Sequence, residues 1–282
     1  MHRIKEEWLS FFKMEHNHHD DWWSRKLGLL KRRHAEVIRI NGVAEMFEDM
    51  RYEGNTYNKY LIHLSFLIRQ KDYYYIEEQV IPYQFKLNNG EVNDHRPFSS
   101  INDEDNKITE SLKVESIGNQ YSRFTYDPLA AVQYAERWWN DYNPNFRKFS
   151  VDCTNYVSQC LHAGGAPMHG APIREEGWWY QEENWSFSWA VSHSLRWYLS
   201  GSTQGLSGIE VESAEELSPG DVICYDFEGD GRYDHTTIVV AKDADNMPLV
   251  NAHTENSRHR YWSYEDSTAW TPQMKYKFFK IE

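Results

Sequence analysis

The stretch His235-Thr236-Thr237-Ile238-Val239-Val240-Ala241 limits most strongly how this chain folds. Branched residues fill both of its alternating sides, which reads as a strand covered on both faces. Turn signals bracket it. Upstream, Leu217-Ser218-Pro219-Gly220-Asp221 combines Pro and Gly with an aspartate that bonds nearby backbone, and it feeds a strand over Val222–Phe227. An acidic hairpin, Asp226–Asp234, leads into the branched run. A turn around Asp243–Asn246 returns the chain as Pro248–His253. The pattern predicts an antiparallel meander.

Helices precede this meander. Asp127-Pro128 supplies a cap and a proline at the first helical position, followed by Leu129, Val132, Ala135, Trp138 and Trp139 at helical spacing. A shorter helix follows from Asp152, its expected N-cap, to the Gly164-Gly165 stop. Cys153 falls in its first turn, where unpaired N–H groups favour a thiolate. Cys153, Val157, Cys160 and Leu161 share one face, so the same pattern also suits a packed core cysteine. Further on, a Gly- and Trp-rich stretch leads to a helix near Ser188–Leu199, and Trp178-Trp179 is a candidate groove lining.

Composition bounds the function. The 282 residues carry 30 Lys and Arg against 43 Asp and Glu, a formal charge of −13. That balance argues against nucleic acid and anionic lipid as partners. No run of 18 apolar residues predicts a membrane span, and no signal peptide opens the sequence. The sequence as written is expected to be cytoplasmic; removal of a leader would make it extracellular. Three cysteines exclude a full disulfide framework. Cys153 and Cys160 stand about 10 Å apart along a helix, too far to pair.

The first part has a different character. Residues from about Ile4 to Glu48 are charged and helical in pattern, with Trp8, Phe11, Phe12, Trp22, Trp23, Leu27 and Leu30 as apolar anchors. Tyr60–Ile68 and Asp72–Ile76 read as strands, and Asn88-Asn89-Gly90 as a tight turn. Ser99 to Gln120 is polar and linker-like. The expected division is a small N-terminal α+β domain over 1–110, a linker over 111–125 and a second domain over 126–282. The sheet of the first domain suits a cystatin-like or NTF2-like arrangement, although no motif fixes it.

Two metal readings carry little weight. The histidines at His16, His18 and His19 are near neighbours that do not converge on one ion. Asp226-x-Glu228-x-Asp230-Gly231 begins like a calcium loop, but its twelfth position is Thr237 and a strand follows. An acidic turn is the expectation, and no cofactor is predicted.

The second domain carries the chemistry. A helix-borne Cys153, then His235 opening one strand, then Asn251 and His253 on one side of the next, come in an order that suits a thiol nucleophile, an imidazole base and an orienting group. The pieces Asp152-Cys153-Thr154-Asn155-Tyr156-Val157-Ser158-Gln159-Cys160-Leu161, Gly164-Gly165, Gly177-Trp178-Trp179, Leu217–Asp221, Asp234-His235-Thr236 and Asn251-Ala252-His253-Thr254 together resemble the amidase-domain family of bacilli and clostridia. That family belongs with papain-like cysteine hydrolases such as the CHAP and NlpC-type amidases. The resemblance covers Tyr126 to the C-terminus.

It implies an α+β chain whose second domain is papain-like, a helix on an antiparallel sheet. It further implies Cys153 as nucleophile, His235 as base, and His253 as third member with Asn251 as the alternative. The Cys153 backbone N–H would stabilise the oxyanion. Papain's glutamine six residues before the nucleophile is replaced by Arg147, so that partner does not transfer. Cys160 and Cys224 are expected to pack. The implied activity is hydrolysis of an amide through a thioester, on a peptide or cell-wall stem peptide. The alternatives are a non-catalytic peptide or glycan binding module on the same scaffold, and a metallohydrolase.

Overall fold

Antiparallel strands make up most of the molecule, and their pairing explains where the helices lie. The computed structural model describes residues 2–13, 21–52, 55–88, 91–98 and 124–282. Residues 99–123, which include 111–123 of the expected linker, Asn89 and Gly90 of the expected turn, and the His16–His19 cluster lie outside them. The described residues form two compact units. One holds those up to residue 98 with Tyr264–Trp270; the other holds 124–263 with Thr271–Glu282.

In the first unit, α1 (His2–Lys13) and α2 (Trp22–Arg32) precede a meander of β1 (Ala35–Tyr52), β2 (Asn55–Gln70), β3 (Tyr73–Asn88) and β4 (Glu91–Pro97). Alternate residues of β2, from Tyr60 through Ile62, Leu64, Phe66 and Ile68, are buried. The indoles of Trp8 and Trp22 donate to Tyr60 and Tyr83 hydroxyls, each at 2.8 Å. Strand β1 corrects the helical expectation that ran to Glu48. Its backbone pairs with β2 from Ala35 to Tyr52. Branched Val37, Ile38, Ile40 and Val43 suit that extended conformation, and pairing overrides the local charge pattern. Buried Lys26 bonds Glu77 and, at 3.0 Å, Asp266, which holds the segment Tyr264–Trp270. Breaking a buried pair of this kind by removing one partner leaves an uncompensated charge.

The second unit contains α3 (Pro128–Trp138), α4 (Cys153–Ala163), the small hairpin β5 (Tyr180–Gln181) and β6 (Asn184–Trp185), α5 (Phe187–Ala190) and α6 (Ser192–Gly201). Its sheet comprises β7 (Gly208–Val211), β8 (Val222–Asp226), β9 (His235–Lys242), β10 (Pro248–Ala252), β11 (Ser257–Tyr261) and β12 (Lys275–Ile281), antiparallel in the order β11-β10-β9-β8-β12-β7. Val222, Cys224, Ile238 and Val240 face Tyr156, Val157, Cys160 and Leu161 of α4. Nine consecutive residues of α4, Cys153 to Leu161, are buried. Trp178 and Trp179 are 0% and 1% exposed, so they are core and not the expected groove lining. Their indoles are satisfied by Ser158 Oγ and by the Ile173 and Glu176 carbonyls. Among the described residues the chain is mixed α+β, and no helix is long and apolar enough to cross a membrane.

The Pro-Gly-Asp turn seats β8. Asp221 Oδ2 accepts from Ser218 N at 2.7 Å and Oδ1 from Ile281 N at 3.0 Å. Gly220 has φ +99°, and a Cβ there would lie 2.6 Å from Pro128 Cβ. Gly231 has a similar φ of +95° but open space around it. Gly220→Ala should therefore lower stability by at least about 2 kcal/mol and Gly231→Ala by about 1 kcal/mol. Thermal and denaturant midpoints of both variants check this; equal losses would contradict it.

Candidate active site

Cys153 opens α4 and is 1% exposed. Asp152 precedes it without capping the helix, which corrects the expectation from sequence. Its carboxylate is committed elsewhere. Oδ1 accepts from Phe149 N and Asn155 Nδ2, each at 2.9 Å, and Oδ2 faces His253 Nδ1 at 2.7 Å. The first-turn N–H groups of α4 are thus left unclaimed by the Asp152 side chain.

His253 is held at both of its ring nitrogens. Its Nε2 lies 2.7 Å from the Trp138 carbonyl, which only accepts, so this nitrogen carries a hydrogen. Nδ1 faces the Asp152 carboxylate. With both nitrogens held and the ring stacked on Tyr156 at 4.0 Å, His253 braces the start of α4. Asn251 is likewise spent. Its Nδ2 donates to Glu136 Oε1 at 3.0 Å and its Oδ1 accepts from His259 N at 2.9 Å. Burial raises the Glu136 carboxyl, but bonds and charge from His259 and Arg258 outweigh it and hold it at about 2.

Around the thiol stand hydroxyls. Cys153 Sγ lies 3.6 Å from Ser192 Oγ and 3.8 Å from Thr154 Oγ1. Thr154 Oγ1 is 2.8 Å from Ser192 Oγ and 3.4 Å from Thr236 Oγ1. The last contact joins the residue after Cys153 to the residue after His235. Sequence pattern missed Ser192 and Thr154, because neither has a spacing signature and Ser192 arrives from another helix.

His235 is the first residue of β9 and pairs with Tyr225. Alternation turns Thr236 towards α4 and starts His235 on the other side of the strand. There the rings of Tyr225 and Phe227 lie 5.6 and 6.0 Å away. Burial, with Arg260 adding to it, pushes the His235 pKa down to about 4, so the ring is neutral at neutral pH.

The remaining candidates are structural. Cys160 and Cys224 are free, fully buried thiols whose pKa values burial raises, to about 12 for Cys224. Asp226 turns its carboxylate onto backbone: Oδ1 accepts from Gly229 and Asp230 N–H, and Oδ2 from Gly231 N–H at 2.8 Å. That carboxylate organises the hairpin through its own backbone, as an acidic turn does. Arg147 lies over the Trp185 ring, its guanidinium carbon 5.3 Å from the ring centre.

Residues 125–279 match the family described as "Putative amidase domain". The chain belongs to this family, whose description is that of an amidase-type hydrolase. An uncharacterized protein of Bacillus subtilis (strain 168), YhbB, is 49% identical over 266 residues, 91% of this chain and 85% of that protein. A second uncharacterized protein of that organism, YjcM, is 29% identical over 144 residues, 46% of this chain and 31% of its own length. No solved structure matches.

The buried geometry sets two expectations. Asp152→Ala and His253→Ala should be non-additive, with a coupling of at least about 1 kcal/mol in a double-mutant cycle; additive losses would contradict the bond. His235 behaves oppositely to a stabilised cation. Its lowered native pKa means that the unfolded chain binds the extra proton between about pH 6.5 and 4, so stability falls as pH falls through that window. The loss is of order 3 kcal/mol. Asp234, raised to about 6 mainly by burial, works in the opposite direction over its own range. Subtracting the stability profile of His235→Gln from that of the parent isolates the histidine; parallel profiles would contradict its buried neutral state.

Proposed function

We propose that this chain is a cysteine-dependent amidohydrolase on a papain-like scaffold, with Cys153 as nucleophile and His235 as general base. The observation that carries the reading is the placement of Cys153 at the start of a buried helix. The Asp152 side chain leaves that helix's first turn uncapped, and the Thr154–Thr236 contact ties it to the start of the His235 strand. A thiol at a helix N-terminus is eased towards thiolate, and uncapped N–H groups can receive an oxyanion.

His235 begins β9 on the face away from α4, so its neutral ring must reach around the strand's end to Cys153; there it takes the thiol proton as Sγ attacks the amide carbonyl. The tetrahedral oxyanion rests against the Cys153 N–H. The C–N bond then breaks, with the proton passing to the departing amine. A water, deprotonated by His235, splits the thioester into a carboxylic acid and regenerated thiol. His253 and Asp152 act only through positioning, by holding the loop before Cys153. The substrate is an amide of peptide or cell-wall stem-peptide type, a class drawn from the family resemblance.

Purified peptidoglycan and a panel of acylated peptide amides provide the test, with products read by mass spectrometry. The parent should release amine and give a Cys153 thioester adduct on rapid acid quench. Cys153→Ala should lose at least about 10³-fold in turnover and give no adduct. A fully active Cys153→Ala protein would end the proposal.

A further inference from the structure

Arg196 stands one turn after Ser192 on α6, and positions four apart share a helix face. Ser192 is the residue whose Oγ lies 3.6 Å from Cys153 Sγ. The Arg196 guanidinium is stacked on exposed Trp197, 3.9 Å from its ring centre, with Tyr233 at 5.5 Å on the chain leading into His235. It therefore lies between the helix that touches the thiol and the segment that delivers the histidine.

The surroundings of this cation are unusual. Arg196 Nε and Nη1 are buried, and no protein acceptor among the described residues bonds them. A guanidinium has five donors in a planar fork, and burying charged donors without an acceptor is costly. Asp226, in the hairpin that also carries Tyr233, is saturated by backbone N–H groups. A guanidinium fork over an aromatic ring, with donors that no protein acceptor among the described residues bonds, matches the two oxygens of a carboxylate. The protein as a whole carries a formal charge of −13, so an anionic ligand depends on a local cation of this kind.

We propose that Arg196, flanked by Trp197, is a specificity-determining residue that binds a carboxylate of the substrate beside Cys153. The preferred substrates are then amides bearing a free carboxylate near the scissile bond. This inference rests on the reading of Cys153 as the nucleophile.

Two alkylating probes of the same size separate the two claims. Iodoacetate carries the carboxylate; iodoacetamide does not. Modification of Cys153 in the full chain is followed by peptide mass spectrometry at fixed pH and ionic strength. The ratio of the two rates is compared with that for glutathione. The parent should show a ratio at least about tenfold above glutathione's, falling with added salt. Arg196→Gln should return the ratio to the glutathione value, and Arg196→Lys should retain part of it. A parent ratio equal to that of glutathione overturns the subsite, whatever the variants do, while iodoacetamide labelling leaves the nucleophile standing. An elevated ratio that survives Arg196→Gln also overturns it. Failure of both probes to label Cys153 removes the nucleophile and the subsite together.

Discussion

The contact between Asp152 and His253 is the constraint on which the site depends. It joins residues 101 positions apart and fixes the chain immediately before Cys153 against the end of β10. Asp152 could have capped α4, as aspartates commonly do at that position. It instead accepts from Phe149, Asn155 and His253, and the helix start is held from outside by a buried bond. One consequence is mechanical, since Cys153 cannot shift without breaking a saturated carboxylate. The other is electrostatic. The first-turn N–H groups keep their partial positive charge for whatever develops negative charge at the thiol.

Burial sorts the remaining ionisable groups by role. The same desolvation that raises the Cys160 and Cys224 thiols and removes them from chemistry lowers His235 and keeps it neutral. Glu136 goes the other way because His259 and Arg258 meet it directly. Four groups of the second unit thus become two inert thiols, a neutral imidazole and a fixed anion. Arg196 differs from these, a cation whose buried Nε and Nη1 are bonded by no acceptor among the described residues.

The second unit was legible because its strands are short branched runs bounded by Pro, Gly and Asp. The turn at Gly220 and the helix stops at Gly164-Gly165 follow from backbone demands that sequence displays openly. Strand β1 was not legible. Its residues are charged and largely exposed, and its conformation comes from pairing with β2. The candidate site was half legible. Cys153 and His235 stand out by residue type and order, whereas the partners of Asp152, His253 and Asn251 are set by tertiary contacts over a hundred positions away. The pair Trp178-Trp179 misled because a surface stacking platform and a core pair have the same composition.

In the proposed mechanism His235 activates Cys153. The most direct measurement is the rate of Cys153 alkylation by iodoacetamide from pH 4 to 9, in the parent and in His235→Ala. A thiol that hands its proton to a neighbouring imidazole reacts as a thiolate–imidazolium pair, so the parent should keep reacting well below the pH at which an ordinary thiol of pKa about 8.5 falls silent. His235→Ala should lose that low-pH reactivity by at least about tenfold and follow the profile of a free thiol. Superimposable profiles would contradict the account.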